Sequence, residues 1–183
     1  MRQIWYELKN PGGEPASAKV HRTWDIGKQL EGLVLDWLEN AGIEISRTYH
    51  DLYEKGMPYF QGHVDAIWIK DEKPYAILEI KTAKDSNYRL FVNKGLESWS
   101  PQYYSQIQTY MGMSGIHLSY VVVLNKDSSE FFDEAVTFDE SFYDQLKKKA
   151  KMIYEATIEP PRINGSPLWY QCKLCPFNKV CHK

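Results

Sequence analysis

The stretch that most constrains the fold runs from Tyr59 to Thr82, where two apolar runs flank the polar segment Asp71-Glu72-Lys73-Pro74. Runs rich in β-branched and aromatic residues on either side of such a segment predict a β-hairpin. Asp65 interrupts the first run, and Glu79 and Lys81 interrupt the second. Side chains two residues apart on a strand share a face, so Glu79 and Lys81 point the same way. Adjacent strands lie about 5 Å apart, which can bring Asp65 close to Glu79.

These three charges need neutralisation if the sheet is half-buried. Two carboxylates and an ammonium are costly to remove from water unless a partner compensates them. A divalent cation held by Asp65 and Glu79 would do so, and oxygen ligands suit Mg²⁺ or Mn²⁺. Lys81 would then stand beside the metal, directed at an anionic substrate. The alternative is a surface hairpin in which Glu79 and Lys81 form a salt bridge.

The composition is that of a globular protein. The chain has 183 residues, 43% of them hydrophobic and 25% charged, which suffices for one well-cored domain. No apolar run approaches the length of a membrane span, and the first residues lack a signal-peptide core, so we expect an intracellular protein without a membrane segment. The net charge of −2 means that any contact with nucleic acid must come from local basic patches.

A helix is predicted over residues 23–40, and it places an acid on its apolar side. The apolar residues with helical spacing are Leu30, Leu33, Val34, Trp37 and Leu38. Glu31 falls on the inward side of this helix, where an acid requires a partner such as a metal ion. The alternative is that Glu31 lies at the edge of the apolar stripe and reaches solvent.

Ser100-Pro101 begins another predicted helix, which ends at Gly112 and places Gln106 and Tyr110 on one face. The other predicted elements are a strand over 43–53, a loop or short helix over 84–99, a buried strand over 119–125 and a helix over 139–154. Residues 84–99 mix basic and aromatic side chains, which suits single-stranded nucleic acid. They are equally compatible with a surface loop whose aromatic side chains are buried.

All three cysteines lie near the C-terminus, as Cys172, Cys175 and Cys181. A Cys-x₂-Cys-x₅-Cys spacing in an intracellular chain indicates metal binding and not a disulfide. Three free thiols are the alternative.

In chain order, these motifs resemble the PD-(D/E)XK nuclease superfamily. Gly62-His63-Val64-Asp65 followed by Glu79-Ile80-Lys81 is similar to its Asp…Glu-x-Lys core. Gln106 and Tyr110 resemble the Gln-x-x-x-Tyr motif of RecB-like nucleases. Gly27-Lys28-Gln29-Leu30-Glu31 is similar to the Gly-x-x-x-His of RecB-like and Cas4-like domains, with Glu in place of His.

The resemblance implies an α/β fold with a restriction-endonuclease-like core, in which helices flank a central mixed sheet. It also implies a metal-dependent DNA nuclease, most similar to a phage-type RecB-like exonuclease or a Cas4-like protein. The implied ligands of one or two Mg²⁺ or Mn²⁺ ions are Glu31, Asp65, Glu79 and the Ile80 carbonyl. The implied catalytic set is Asp65, Glu79, Lys81, Gln106 and Tyr110.

The tail resembles the C-terminal cysteine cluster of Cas4-like and AddB-like nucleases, including its Cys-Pro-Phe. Those proteins add a fourth cysteine near the N-terminus and hold a [4Fe–4S] cluster. This sequence has three cysteines in all, and His21 stands about where the fourth would fall. The resemblance therefore implies a Zn²⁺ site or a [4Fe–4S] cluster at Cys172, Cys175, Cys181 and His21. Residues 169–183 would form a metal-binding tail on the N-terminal region of a single domain over 1–183.

The expected partner is DNA, either single-stranded or at duplex ends, together with a recombination or replication protein. The expected location is the cytoplasm of a bacterium or a phage-infected host cell. A catalytically silent protein of nuclease fold, acting in DNA binding or as a scaffold, is the alternative function. A nuclease that acts on RNA is a third possibility.

Overall fold

The computed structural model describes residues 1–9, 12–47 and 51–183, and their contacts form two compact units. The sheet unit consists of Trp24–Leu146. The terminal unit consists of Met1–Thr23 and Lys147–Lys183. Within the described residues, no helix combines the length and apolar character that a membrane crossing requires.

The helices are α1 (Arg2–Lys9), α2 (Ala18–Asn40), α3 (Asp85–Trp99), α4 (Pro101–Ser114), α5 (Glu140–Glu155), α6 (Tyr170–Lys173) and α7 (Asn178–Cys181). The strands are β1 (Ile45–Ser46), β2 (Leu52–Glu54), β3 (Met57–Gly62), β4 (Ala66–Lys70), β5 (Lys73–Ala83), β6 (Leu118–Asn125) and β7 (Phe131–Thr137).

The sheet unit is built on a five-stranded mixed sheet of order β1-β4-β5-β6-β7, in which only β5 and β6 pair in parallel. One face packs against α3 and α4 through a core that includes Ile77, Phe91 and Ile107. The other face packs against α2 through Val34 and Leu35. The predicted α/β class with a central mixed sheet between helices is confirmed.

The predicted hairpin is confirmed for β4 and β5, but its first strand is shorter than the sequence suggests. Asp71 and Glu72 form the turn with φ of 51° and 59°, and β5 already begins at Lys73. Strand β3 ends at Gly62 and pairs with β2 in a separate two-stranded sheet. Because the chain passes here from one sheet to the other, Asp65 lies just before β4 and not inside a strand, contrary to the prediction.

Helix α2 is confirmed, but the predicted inward stripe is partly wrong. Leu33 and Trp37 are each 40% exposed, whereas Val34 and Leu35 are buried. The inward face follows Glu31, Val34, Leu35 and Leu38, a spacing of i, i+3, i+4 and i+7. The helix is thus rotated so that Glu31 lies on the sheet side.

Of residues 84–99, Asp85–Trp99 form helix α3, which is kinked at Gly95, where φ is 74° and ψ is 171°. Phe91 is fully buried, and Tyr88 and Trp99 pack against the same core. Phe91 is therefore a core residue, and Tyr88 and Trp99 are partly buried against that core, which agrees with the alternative of buried aromatic side chains. Binding of single-stranded nucleic acid by this segment stays a prediction.

Helix α4 begins as predicted, since the Ser100 side chain accepts a hydrogen bond from the Tyr103 N–H at 3.3 Å. It does not end at Gly112. The helix continues to Ser114 and ends at left-handed Gly115, whose N–H donates to the Met111 carbonyl. Gly112 has another role: a Cβ there would lie 2.5 Å from the Tyr143 ring.

The strand predicted over 43–53 appears as β1 and β2, and residues 48–50 between them lie outside the described residues. The predicted strand over 119–125 and the predicted helix over 139–154 are confirmed as β6 and α5.

In the terminal unit, the C-terminal residues contact the first segment of the chain. The Glu14 N–H donates to the Pro176 carbonyl at 2.9 Å. The rings of Tyr6 and Phe177 stack with centroids 5.4 Å apart. A Cβ added to Gly13 would lie 3.1 Å from the Phe177 ring, so the chain passes closely over that side chain.

Candidate active site

Asp65 is fixed beside β5 by a backbone hydrogen bond. Ala66 pairs with Leu78 across the β4–β5 ladder, so Asp65, one residue earlier, lies next to Glu79. Its Oδ2 accepts a hydrogen bond from the Ile80 N–H at 2.7 Å. The carboxylate is therefore held at the end of the ladder by main-chain geometry.

Glu79 is a buried carboxylate with one oxygen left over. Its side chain is 1% exposed, and its Oε1 pairs with the Lys81 Nζ. The Glu79 Oε2 is buried and accepts no hydrogen bond. A buried carboxylate oxygen without a partner is costly, and a cation placed at this oxygen would remove that cost.

The pKa values of the acids reflect this burial. Burial raises the pKa of Glu79 to about 7; the Lys81 charge opposes this rise and the Asp65 charge adds to it. Burial also raises the pKa of Asp65, against the Lys81 charge and the Ile80 hydrogen bond. Burial acts to lower the pKa of Lys81, but the charges of Glu79 and Asp65 outweigh it and raise the value. One ammonium thus does not fully compensate the two acids.

Glu31 approaches the two acids from another side. It belongs to α2, which packs on the sheet face opposite to α3 and α4. Burial raises the pKa of Glu31, and the Asp65 charge raises it further, while Lys81 and Lys28 lower it. The half-buried Glu31 carboxylate is therefore within electrostatic reach of Asp65.

Helix α4 lines the site with polar and aromatic side chains. The Gln106 Nε2 donates to the Tyr110 Oη at 2.6 Å, so this predicted pair is in contact. Tyr110 is buried, and the charges of Glu79, Lys81 and Asp65 all act on its pKa, which burial raises.

Two residues near these side chains, Gly62 and Tyr103, were given no role from the sequence. A Cβ at Gly62 would lie 2.2 Å from the Tyr110 Cε1, so only glycine fits under that ring. The Lys81 Nζ lies 4.9 Å from the centroid of the Tyr103 ring. The spacing of Tyr103, Gln106 and Tyr110, at i, i+3 and i+7 of one helix, is the signal that points to Tyr103.

The donor set of the site suits a hard cation held by few protein ligands. No group of three or more His, Cys, Asp or Glu side chains in the described parts of the chain is arranged to hold a metal ion. Mg²⁺ is usually bound through one or two carboxylates, with waters and substrate phosphates as its other ligands. Asp65 and Glu79, with the unpartnered Glu79 Oε2, meet that smaller requirement.

The three thiols of the cysteine tail lie near one another, but they do not form a complete metal-binding site among the described residues. Burial raises the pKa of Cys175; a backbone hydrogen bond from Phe177 opposes this, and the charges of Cys181 and Cys172 add to the rise. The Cys181 Sγ accepts a hydrogen bond from the Arg2 Nη1 at 3.7 Å. The four-ligand site that the sequence predicts with His21 is not assembled among the described residues.

Residues 3–117 match the family model of the YqaJ-like viral recombinase domain. This span is more than half of the chain, and the cysteine tail lies outside it. It contains the predicted site residues Glu31, Asp65, Glu79, Ile80, Lys81, Gln106 and Tyr110. Among curated proteins, none matches the sequence.

Solved structures with a similar fold include those of three proteins. The alkaline exonuclease LHK-Exo from Laribacter hongkongensis, also solved in complex with dAMP, is 14% identical with a TM-score of 0.61, over 83% of this chain and 84% of its own. A phage-related exonuclease from Haemophilus somnus 129PT is 11% identical with a TM-score of 0.63, over 84% and 77%. The protein SSO0001 is 19% identical with a TM-score of 0.58, over 98% and 80%. At these identities the similarity shows a shared fold.

Proposed function

Because this chain belongs to the YqaJ-like viral recombinase family, we propose that it is a metal-dependent DNA exonuclease. The observation that carries the proposal is the cluster of Asp65, Glu79 and Lys81, with a buried Glu79 oxygen that has no partner. The fold shared with two proteins described as exonucleases supports the same activity. The RecB-like or Cas4-like subtype remains a prediction.

Asp65 and Glu79 would hold the Mg²⁺ or Mn²⁺. The Ile80 carbonyl would be a further ligand, as would Glu31, which interacts electrostatically with Asp65 but does not complete a three-carboxylate group among the described residues. When bound, such a cation lowers the pKa of a coordinated water and polarises the scissile phosphate. The Ile80 N–H keeps Asp65 in place, since it donates to the Oδ2 at 2.7 Å. This hydrogen bond leaves the other oxygen of Asp65 available as a ligand.

Lys81 would orient the attacking water or stabilise the negative charge that develops on the phosphate. Its ammonium is mostly buried, with 17% of the side chain exposed, and a charge in such a site acts more strongly than in water. Gln106 and Tyr110 would hold the DNA strand. The hydrogen bond from the Gln106 Nε2 to the Tyr110 Oη fixes both polar side chains beside the acidic residues, where the strand would lie. The substrate would be single-stranded DNA or a duplex end.

The remaining expectations belong to the same proposal. A recombination or replication protein would be the partner, and the cytoplasm of a bacterium or a phage-infected cell would be the location. The tail at 169–183 would bind Zn²⁺ or a [4Fe–4S] cluster through Cys172, Cys175 and Cys181, with His21 as the fourth ligand. The support for this part is the Cys-x₂-Cys-x₅-Cys spacing and the electrostatic interaction of Cys175 with the other two thiols; the complete ligand set is not assembled among the described residues.

Digestion of end-labelled DNA tests the activity. Linear and circular substrates, each single- and double-stranded, would be incubated with Mg²⁺, Mn²⁺ or a chelator. We expect the linear forms to be degraded only with metal and the circular forms to persist. Asp65→Ala and Lys81→Ala should reduce cleavage by orders of magnitude, while Glu97→Gln, an exposed change on α3, should not.

Other outcomes would contradict specific parts of the proposal. Cleavage of circular DNA at the same rate would indicate an endonuclease. DNA binding without cleavage under either metal would favour the catalytically silent function. The Glu31 that stands where RecB-like and Cas4-like domains have His also favours that alternative. Preferential degradation of RNA would change the substrate class.

A further inference from the structure

We propose that Tyr103 is a positioning residue of this site and that its ring holds the Lys81 ammonium through a cation–π contact. The proposal rests on the nuclease function inferred above. The Lys81 Nζ lies 4.9 Å from the ring centroid, within the distance at which such contacts are attractive. The side chain of Lys81 is 17% exposed, and cation–π attraction is strongest where the cation is desolvated.

The ring gives Lys81 a partner that a metal ion does not compete for. The other partner of Lys81 is Glu79 Oε1, and Glu79 is also a proposed metal ligand. A cation bound by Glu79 would weaken that ion pair, because its positive charge repels the ammonium. An aromatic face attracts the ammonium without offering the metal a carboxylate. Tyr103 can therefore keep Lys81 at the site while Glu79 serves the metal.

The Tyr103 ring is itself held in place by its neighbours. Its centroid lies 5.4 Å from that of Trp99, and Trp99 lies 5.2 Å from the buried Phe91. The Tyr103 N–H is bound by the Ser100 side chain at the start of α4. The ring is thus anchored to the core on one side and faces Lys81 on the other.

Substitutions at Tyr103 can separate the ring from its hydroxyl group. Tyr103→Phe keeps the aromatic face, whereas Tyr103→Leu removes it and keeps an apolar side chain. Tyr103→Met is a second non-aromatic variant should the Leu variant fold poorly. Tyr104→Leu is the matched control, because Tyr104 is the next residue on the helix and packs on Phe142 with centroids 5.2 Å apart.

NMR of metal-free protein with ¹³C-labelled lysine tests the contact directly. The Hε resonance of Lys81, identified by its loss in Lys81→Ala, should be shifted upfield by the ring current of Tyr103. We expect this shift to persist in Tyr103→Phe and Tyr104→Leu and to disappear in Tyr103→Leu and Tyr103→Met. An upfield shift that survives in both non-aromatic variants would overturn the proposal.

Cleavage kinetics test the positioning role. Tyr103→Leu should lower kcat about tenfold with little change in KM, because the variant loses a desolvated cation–π contact that holds Lys81 in place. Tyr103→Phe should stay within about twofold of the wild type, as should the Tyr104→Leu control. Equal slowing by Phe and Leu would assign the effect to the hydroxyl and refute the proposal. The NMR result does not depend on activity, so failure of the nuclease function and failure of this contact are distinguishable.

Discussion

The buried Glu79 makes a testable prediction about the pH dependence of stability. In metal-free protein its pKa lies at about 7 against an ordinary value of 4.5, chiefly because of burial. The folded state therefore holds a proton that the unfolded state releases between these two values. The resulting stabilisation is fully present below about pH 4.5, falls as the pH rises to about 7, and is absent above that.

The magnitude follows from the two pKa values. Each tenfold difference in proton affinity is worth about 1.4 kcal/mol, so a rise from 4.5 to about 7 corresponds to a loss of about 3 kcal/mol. For a chain of this size, 1 kcal/mol changes Tm by roughly 2–4 °C. The expected fall in Tm attributable to Glu79 is therefore roughly 6–12 °C between pH 4.5 and 7.

Glu79→Gln isolates the pH-dependent contribution of Glu79 to stability, because the substitution keeps the shape of the side chain and removes its titration. Urea unfolding would be followed by tryptophan fluorescence from pH 4.5 to 8 in chelator. The wild-type free energy of unfolding, minus that of the variant, should fall by about 3 kcal/mol as the pH approaches 7. The raised pKa of Asp65 acts in the same direction in both proteins and largely cancels.

Two further measurements complete the test. Glu97→Gln, which removes one exposed charge from α3, is the control for a general effect of charge. Saturating Mg²⁺ should reduce the loss of wild-type stability near neutral pH, because the metal binds the ionised carboxylate. A difference between wild type and Glu79→Gln that does not vary with pH would refute the reasoning.

Other predictions follow from single contacts. Gly62→Ala should lower the free energy of unfolding by about 1–3 kcal/mol, because the added Cβ would lie 2.2 Å from the Tyr110 ring. Gly27→Ala is the control: its Cβ would meet no atom within 4 Å, so thermal melts should show a neutral or stabilising effect. Glu31→Gln should raise the Mg²⁺ concentration at half-maximal cleavage more than it weakens DNA binding; an unchanged midpoint would make Glu31 a structural residue. Elemental analysis of anaerobically purified protein should find one zinc ion per chain, or iron in a brown protein. Cys175→Ser should lower this metal content. Only trace metal in protein that stays folded in chelator would end the tail proposal.

Much of the local structure could be predicted from the sequence, because its signals are short-range. The β4–β5 hairpin follows from two apolar runs around a polar turn, and the start of α4 from Ser100 and Pro101. The shared direction of Glu79 and Lys81 follows from strand geometry alone. The Gln106–Tyr110 hydrogen bond follows from helical spacing in the same way.

Only the tertiary structure decided what surrounds these residues. Which sheet β3 joins depends on its pairing with β2, and that pairing places Asp65 before β4. The face of α2 that meets the sheet, and with it the direction of Glu31, depends on the strands it covers. The Tyr103 ring contacts Lys81 because α4 packs over β5, although the two residues are more than twenty positions apart in the chain. Periodicity and turn chemistry are encoded within a few residues, whereas burial and the partner of a charge are set by segments far apart in sequence.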